Sequence, residues 1–309
     1  MSSRRYPNGP LVIGWANEGG GTRKTSDTVN TAVALARMGY EVAVLDADQT
    51  MAASGYLGYG VTKKKDNPER AAEVYTRLAT MTSVYQVLLG DAKLLEAMVP
   101  ARTRIDNGAE VLGDDDDSFA IIPNLRLVLG SREMAQASED LRSVRKPLAN
   151  NDWLRRAVYE LPPGELDILC VDFRGTFDTL ENTLLAACDY VIGAVKPDVK
   201  DEDTLELLRA VIAGAQEAFK FSGGAADMRH IMINGVMPKN RGRYYEDIVT
   251  GLEDYYGDMV LPMISENVNV ASSVEAQEPV HFWLGPESKP AKEFDAAARA
   301  LDMLPALNR

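Results

Sequence analysis

The residues best suited to chemistry lie in a glycine-rich turn between an apolar run and a helical pattern. Residues 11–16 (Leu-Val-Ile-Gly-Trp-Ala) have the pattern of a buried strand, and residues 19–26 (Gly-Gly-Gly-Thr-Arg-Lys-Thr-Ser) follow shortly after it. Glycines allow successive backbone N–H groups to point toward one anion, and the N-terminus of the next helix adds positive potential. The turn therefore predicts a phosphate-binding loop, with a ligand-free glycine turn as the alternative.

Individual side chains in this loop have separate expected roles. Lys24 supplies a point charge for the β- and γ-phosphates of a nucleotide, and the Thr25 hydroxyl can ligate Mg²⁺. The remaining residues expected to line the nucleotide phosphates are Gly20, Gly21, Thr22, Arg23 and Ser26. The usual loop has glycine directly before its lysine, so Arg23 makes this loop a variant with an altered backbone path.

Two carboxylates end apolar strand patterns elsewhere in the chain. Asp46 follows the run of residues 41–45, and Asp172 closes the continuous apolar run of residues 166–172. In phosphate-loop nucleotidases, an acid at the end of such a strand holds Mg²⁺ through water. Asp172 is therefore expected to hold the metal, and a carboxylate that only caps the following helix is the alternative.

The order of elements predicts an α/β fold with a doubly wound, mainly parallel sheet and helices on both faces, because continuously apolar strands alternate with helices. The other predicted strands are residues 120–130, 190–195, 230–234 and 260–264. The other predicted helices are residues 71–95 with a break at Gly90, 131–139, 153–160, 178–187, 203–218, 244–255 and 290–303.

Composition limits the domain organisation and the compartment. The chain has 309 residues, a net charge of −13, two cysteines and two histidines, which disfavours a disulfide scaffold, a zinc site and a broadly basic nucleic-acid binder. No signal peptide or membrane-length apolar run is present, so a cytoplasmic protein is expected. Residues 1–10 are expected to be a loose tail before a single domain of residues 11–309. Residues Lys63–Lys65 are expected to be a solvated loop, with a contact for DNA or a partner as the alternative, and the acidic run Asp114–Asp117 is expected to lie in a mobile insertion.

The motif order resembles that of the ParA/MinD family of dimeric ATPases and is nearer to the ParA partition proteins. The family loop has the form Lys-Gly-Gly-x-x-Lys-Thr/Ser, and residues 20–25 fit all of it except the leading lysine. Residues 46–49 (Asp-Ala-Asp-Gln) resemble the family's Asp-x-Asp-Pro-Gln, and residues 196–198 (Lys-Pro-Asp) resemble its Gln-Pro-Glu. The resemblance extends from about Leu11 to Leu304, with a segment at about 58–120 that is enlarged relative to the family, and it implies a P-loop NTPase-like fold.

The resemblance also implies a role for each matching residue. ATP and Mg²⁺ are the implied cofactors, with Lys24 and Thr25 acting as expected above. Asp46 would orient the attacking water, and Asp172 would hold Mg²⁺ in its outer shell. Asn234 would recognise adenine, and Pro262 lies in the stretch that ends near the base.

The leading lysine is the main departure from the family pattern. In the family it reaches across the dimer to the partner's phosphates, whereas Gly19 stands at its place here. Arg23, Lys196 or Arg174 could supply the missing charge, or Arg23 could only fill space. Without that charge, hydrolysis should be slow. The McdA-like positioning ATPases, a related subgroup, also lack this lysine, so its absence does not end ATP binding.

The predicted function is that of a ParA-like positioning ATPase. The resemblance implies an ATP-dependent homodimer that binds nucleoid DNA without sequence preference, and a ParB-like partner that stimulates hydrolysis to move plasmid, chromosome or other cargo. The candidate DNA contacts are Lys239, Arg241 and Arg243, with Lys289, Lys292 and Arg299 behind them. Residues 301–309 match a membrane anchor poorly, so no membrane binding is expected. The alternative function is a nucleotide-gated adaptor, a pseudo-ATPase that binds a protein partner with little hydrolysis.

Overall fold

Eight strands form one sheet in the part of the chain that the computed structural model describes, which is residues 4–19, 21–60, 68–105, 118–143, 152–238 and 243–306. The strands are β1 Leu11–Ala16, β2 Val42–Asp46, β3 Met98–Arg104, β4 Phe119–Val128, β5 Ile168–Asp172, β6 Tyr190–Val195, β7 Asp227–Val236 and β8 Ile264–Ser265. Their order across the sheet is β3-β4-β2-β5-β1-β6-β7-β8, and only β3 runs antiparallel to its neighbour.

Twelve α-helices lie among the same residues. They are α1 Lys24–Arg37, α2 Ala52–Tyr56, α3 Pro68–Leu78, α4 Val84–Leu89, α5 Ala137–Ser143, α6 Trp153–Tyr159, α7 Thr179–Ala187, α8 Val199–Ala218, α9 Arg243–Tyr256, α10 Val268–Ala276, α11 Val280–Trp283 and α12 Lys289–Arg299. Short 3₁₀ turns occupy Leu94–Ala97, Arg132–Ala135 and Gly257–Met259.

Helices cover both faces of the sheet because its central strands are apolar on both sides. Every residue of β1, β2, β5 and β6 is buried. One hydrophobic core packs helices α4 to α9 on one face, and a second packs α1, α2, α3, α10, α11 and α12 on the other. The α/β fold predicted from alternating strands and helices is confirmed.

The sheet register places three strand ends at one level. Trp15 of β1 and Asp46 of β2 both pair with Asp172 of β5. The phosphate-loop candidate follows β1 directly, so it lies above the same carboxyl edge as Asp46 and Asp172. This is the edge at which parallel α/β sheets bind ligands.

Several sequence predictions about local structure were wrong. Strand β3 was missed because its Pro-containing, partly polar sequence lacks the apolar run of a buried strand. The strand predicted at 260–264 is reduced to a single bridge at Val260 and the short β8, because Pro262 has no N–H to donate to a ladder. The helix predicted at 71–95 is split into α3 and α4, and Gly90 forms the left-handed cap of α4.

Residues 4–10 are anchored, in contrast to the predicted loose tail. The Tyr6 ring is buried, and its hydroxyl donates to the Ala187 carbonyl oxygen at 2.7 Å. The Arg5 guanidinium donates to the Cys188 and Gly223 carbonyl oxygens. Burial of an aromatic ring with a satisfied hydroxyl holds the segment in place. The segments around Lys63–Lys65 and Asp114–Asp117 lie outside the described residues.

Gly14 tests how tightly the sheet packs beneath the candidate site. A Cβ at this position would lie 2.6 Å from Phe173 Cε2 and 3.0 Å from Val191 Cγ1. Gly14→Ala should therefore lower the free energy of unfolding by about 1–3 kcal/mol, as overpacking of a dense core does. Urea unfolding followed by circular dichroism measures this change.

Gly214→Ala on the exposed face of α8, where the new methyl meets no atom within 4 Å, is the control. It should raise stability by up to about 1 kcal/mol. A Gly14→Ala protein as stable as the wild type would contradict the packing argument.

Candidate nucleotide-binding site

The loop after β1 reverses the chain through left-handed backbone conformations. Gly19, Gly21 and Arg23 have φ angles of 89°, 85° and 65°. A Cβ on Gly19 or Gly21 would meet no atom within 4 Å, so these glycines serve the backbone path and border open space. Gly20 lies outside the described residues. The Gly19 N–H donates to the Gly175 carbonyl oxygen at 2.9 Å, which ties this loop to the one after β5.

A cleft of about 230 Å³ opens between these two loops. Its lining consists of Gly19, Gly21, Thr22, Arg23, Lys24, Thr25, Asp48, Phe173 and Gly175. The N-terminus of α1, where backbone N–H groups lack helical partners, begins at the same place. Backbone donors, a helix N-terminus and a lysine around one cleft form an arrangement that suits an anion.

The Lys24 ammonium group lies across this cleft. Its Nζ donates to the Gly19 carbonyl oxygen at 2.8 Å and to Thr22 Oγ1 at 3.3 Å. The Lys24 side chain is 8% exposed, so its charge is concentrated in the loop and little screened by water. An anion in the cleft would therefore meet a cation that is already positioned by the loop.

Thr25 and Asp172 face each other beneath the loop. Burial, the largest effect, and the charge of Asp46 raise the pKa of Asp172 well above its usual value, while the nearby Thr25 side chain and Lys24 act to lower it. Thr28 Oγ1, one turn along α1, donates to Asp172 Oδ1 at 3.4 Å. Asp172 Oδ2 is buried and has no hydrogen-bond partner in the described part of the chain. A buried carboxylate oxygen without a hydrogen-bond partner and a nearby hydroxyl are oxygen ligands of the kind that Mg²⁺ prefers.

Asp46 is fully buried and is held by Ser54. The Ser54 N–H and Oγ both donate to Asp46 Oδ2 at 2.7 Å, and the Asp48 N–H donates to Oδ1 at 3.2 Å. Ser54 Oγ also accepts from the Gly130 N–H at 2.9 Å. Burial raises the pKa of Asp46 to about 6 in spite of these donors. Ser54 therefore fixes the orientation of a carboxylate that is costly to ionise.

Arg23 adopts an unusual backbone conformation and forms an ion pair with Glu266. A non-glycine residue in the left-handed region costs roughly 1 kcal/mol, which explains why glycine is usual at this position. The Arg23 Nη2 lies 2.7 Å from Glu266 Oε2 and 2.8 Å from Glu266 Oε1. The guanidinium group thus connects the loop to the segment after β8.

Asn234 lies at the carboxyl end of β7 and contacts both the loop and α1. Its Nδ2 donates to the Thr22 carbonyl oxygen at 3.0 Å and to Asp27 Oδ2 at 2.7 Å. Burial raises the pKa of Asp27 well above its usual value, and the hydrogen bond from Asn234 and the charge of Arg23 oppose this rise. Pro262 is exposed beside the same strand end, where the Leu261 N–H donates to the Ile231 carbonyl oxygen.

The two other candidate cations differ in their surroundings. Arg174 is nearly buried and forms ion pairs with Glu181 at 2.7 Å and Asp178 at 2.6 Å. Lys196 follows β6 at the carboxyl edge of the sheet and is near enough to Asp27 for its charge to lower the pKa of that carboxyl group. Lys196 is therefore the better placed of the two to act at the cleft.

Sequence reasoning missed several residues that contact the candidate set, among them Asp27, Ser54 and Glu266. Asp27 has the signature of an ordinary acid in the first turn of a helix. Ser54 and Glu266 lie in stretches without a recognised motif. Asp27 and Glu266 act through contacts that are 207 and 243 residues distant in sequence, so only the fold could reveal them. The partner of Ser54, Asp46, is eight residues away, but no motif marks the pair.

The candidate DNA contacts are only partly visible. Lys239 and Arg241 lie outside the described residues, and Arg243 is the first residue of α9. Lys289 and Lys292 form ion pairs with Glu293 and Glu287 on the surface of α12. Among the described residues, no helix combines the length and apolar character needed to cross a membrane.

Comparisons of the amino-acid sequence with known proteins found a matching family profile and a related protein. The profile of the CobQ/CobB/MinD/ParA nucleotide binding domain matches residues 13–280. The chromosome partitioning protein ParA of Caulobacter vibrioides is 26% identical over 276 residues, which cover 88% of this chain and 86% of that protein.

Solved structures share the fold. The ATP complex of Cyanothece McdA superposes with a TM-score of 0.71 at 13% identity and covers 98% of this chain and 100% of that one. The Mg-ADP complex of MinD from Pyrococcus horikoshii superposes with a TM-score of 0.62 at 20% identity and covers 96% and 97%. The resemblance predicted from the loop and strand-end motifs is confirmed. The chain belongs to the CobQ/CobB/MinD/ParA family of nucleotide-binding domains, which includes the ParA-like partition ATPases.

Proposed function

We propose that the chain is a ParA-like ATPase that binds ATP with Mg²⁺ in the cleft between the loop after β1 and the loop after β5. The observation that carries the proposal is the convergence of the Lys24 ammonium, the Thr25 hydroxyl and the unsatisfied Asp172 Oδ2 at one edge of the sheet. The same proposal treats residues 11–309 as one ATPase domain.

The residues would divide the work of phosphoryl transfer. The loop N–H groups and Lys24 would hold the β- and γ-phosphates, and the nucleotide anion would replace the Gly19 carbonyl as the main partner of the Lys24 ammonium. Thr25 would ligate Mg²⁺ directly, and Asp172 would hold it through water. When bound, Mg²⁺ supplies neutralisation of the phosphate charge.

Asp46 would orient the attacking water. Ser54 holds its carboxylate by two hydrogen bonds and is itself tied to the Gly130 N–H. A water positioned for in-line attack must be held in one geometry, because misplacement by about 1 Å can cost 10²-fold in rate. Ser54 would therefore set the geometry of Asp46.

The biological role that we propose is the positioning of cargo. The chain would form a homodimer with ATP, bind DNA without sequence preference, associate with the nucleoid in the cytoplasm and respond to a ParB-like activator. The DNA contact would use Lys239 and Arg241, which precede α9 in sequence, and Arg243, its first residue. The exposed face of α9 carries the carboxylates Glu246, Asp247, Glu253 and Asp254, which would repel DNA phosphates, so DNA would contact the basic residues before them and not this face.

A second candidate function, a nucleotide-gated adaptor with little hydrolysis, has its own support. Gly19 stands where the family's leading lysine would be. Two possible replacements, Arg23 and Arg174, are held in ion pairs with Glu266, Asp178 and Glu181. We propose Lys196 as the cross-dimer cation because it follows β6 at the carboxyl edge of the sheet, where its charge acts on Asp27. Its contribution would decide which function the chain performs.

Lys24→Ala should reduce the affinity for ATP-Mg²⁺ at least about 100-fold, because it removes the one lysine in the cleft lining. Isothermal titration calorimetry measures the affinity. Lys289→Ala on the exposed surface of α12 is the matched control and should bind ATP like the wild type. ATP affinity that survives Lys24→Ala would refute the assignment of the loop.

Asp46→Ala should leave ATP affinity within about threefold and reduce turnover by about 100-fold or more, because water positioning matters only in the transition state. Ser54→Ala should reduce turnover about tenfold through a looser Asp46, and Ser54→Thr, which keeps the hydroxyl, should restore most of it. Phosphate release assays with and without DNA provide the measurement. Unchanged turnover in Asp46→Ala would remove Asp46 from the mechanism, and a wild type that binds ATP but never turns it over would favour the adaptor.

Asp46→Asn should stabilise the apo protein at pH 8 more than at pH 4.5. The pKa of Asp46 is about 6 in the folded protein and about 3.9 in the unfolded chain, so ionisation of this carboxyl group lowers the free energy of unfolding. This loss of stability is absent below about pH 4 and complete above about pH 6. We expect a gain of roughly 1–2 kcal/mol at pH 8, reduced by the lost hydrogen bonds from Ser54. Urea unfolding at both pH values tests this. Asp254→Asn on the exposed face of α9 should show no such gain, and an equal effect of Asp46→Asn at both pH values would contradict the argument.

A further inference from the structure

The carboxamide of Asn234 has its orientation fixed by its neighbours. Its Nδ2 lies 3.0 Å from the Thr22 carbonyl oxygen and 2.7 Å from Asp27 Oδ2. A backbone carbonyl can only accept a hydrogen bond, so the group facing it must be the NH₂ of the amide. Both amide hydrogens are therefore used on this side, and Oδ1 is left on the other.

Asn234 Oδ1 is a buried acceptor without a donor. The side chain of Asn234 is completely buried, and this oxygen has no hydrogen-bond partner in residues 4–306 as far as the structure describes them. A buried polar atom without a partner is costly, and an explanation for it is a ligand that supplies the missing group. The ligand group that fits is a hydrogen-bond donor.

Asp27 differs from an ordinary acid in the first turn of a helix. Such residues normally interact with the helix dipole from the surface, whereas Asp27 is 1% exposed and extends from α1 to β7. Its backbone N–H donates to the Arg23 carbonyl oxygen, so its own position follows that of the phosphate loop. The charged groups around it are Arg23, Lys196 and Asp172. Asp27 thus connects the loop to the residue proposed to contact the base.

We propose that Asp27 is a positioning residue for base selection, which holds Asn234 so that Oδ1 accepts from the amino group at position 6 of a purine. A 6-amino purine offers a donor there, whereas a 6-oxo purine offers an acceptor that would face Oδ1 directly. The two oxygens would repel each other, and both would be left unsatisfied. The inference rests on the proposed function, since it requires a nucleotide in the cleft.

The test compares ATP with ITP, which carries an oxygen in place of the 6-amino group and has the same ribose and triphosphate. Affinities are measured by calorimetry with Mg²⁺ on the full chain. The wild type should bind ATP about 30-fold or more tightly than ITP, because one unsatisfied buried polar group costs that order of affinity. Asp27→Ala should lower this ratio about tenfold, because Asn234 then keeps only the Thr22 carbonyl as an anchor.

Two further variants separate positioning from a merely structural role. Asp27→Asn retains a carbonyl oxygen that accepts from Asn234 Nδ2, so it should keep most of the ATP preference despite the loss of charge. Thr31→Val alters another buried polar position one turn further along α1 and should leave the ratio unchanged. If Asp27→Ala does not fold, Asp27→Ser, whose shorter side chain does not reach Asn234, takes its place.

Three results would overturn the inference. Equal affinity of the wild type for ATP and ITP would mean that Asn234 does not read position 6. Equal losses for both nucleotides in Asp27→Ala, with an unchanged ratio, would assign Asp27 a structural role only. A wild type that binds neither nucleotide would reject the proposed function itself, and this failure is distinct from a failure of base selection alone.

Discussion

The burial of three carboxylates around one cleft is the constraint on which the rest of the site depends. Asp27, Asp46 and Asp172 are each almost completely removed from water, and burial raises the pKa of all three. Desolvated carboxylates close together disfavour ionisation unless cations and hydrogen-bond donors compensate. Lys24 and the Ser54 donors provide part of that compensation. The Mg²⁺ that we propose to lie between Thr25 and Asp172 would supply the remainder, beside the loop that we propose to bind phosphates.

The sheet makes this concentration possible. Asp46 and Asp172 end adjacent parallel strands that pair in register, so their side chains meet at one level without any long-range adjustment. Arg23 and Glu266 then connect the loop to the segment after β8, while Asp27 and Asn234 connect α1 to β7. Two polar contacts, Arg23–Glu266 and Asp27–Asn234, thus join the proposed phosphate end of the site to the proposed base end. A change in the loop would be transmitted to the base end through them.

The core of the site could be predicted from sequence because its pattern is local. Lys24 and Thr25 follow a strand and a glycine turn, and Asp172 ends a continuous apolar run, so the geometry of a parallel sheet is enough to bring them together. The same reasoning could not find the role of Asp27, whose partner Asn234 lies 207 residues away, or that of Glu266, which reaches Arg23 across the sheet edge. Strand β3 was missed because an antiparallel edge strand with a proline lacks the apolar signature of the central strands.

The most direct test of the central claim is a crystal structure of the chain grown with a non-hydrolysable ATP analogue and Mg²⁺. The account predicts triphosphate density within the curve of residues 19–25, a metal ligated by the Thr25 hydroxyl, and Asp172 Oδ2 turned to a water of that metal. The account would be contradicted by a structure at a saturating concentration of the analogue that shows no phosphate density in the loop of residues 19–25. In such a structure Asp172 would still point only at the Thr25 and Thr28 hydroxyls of α1.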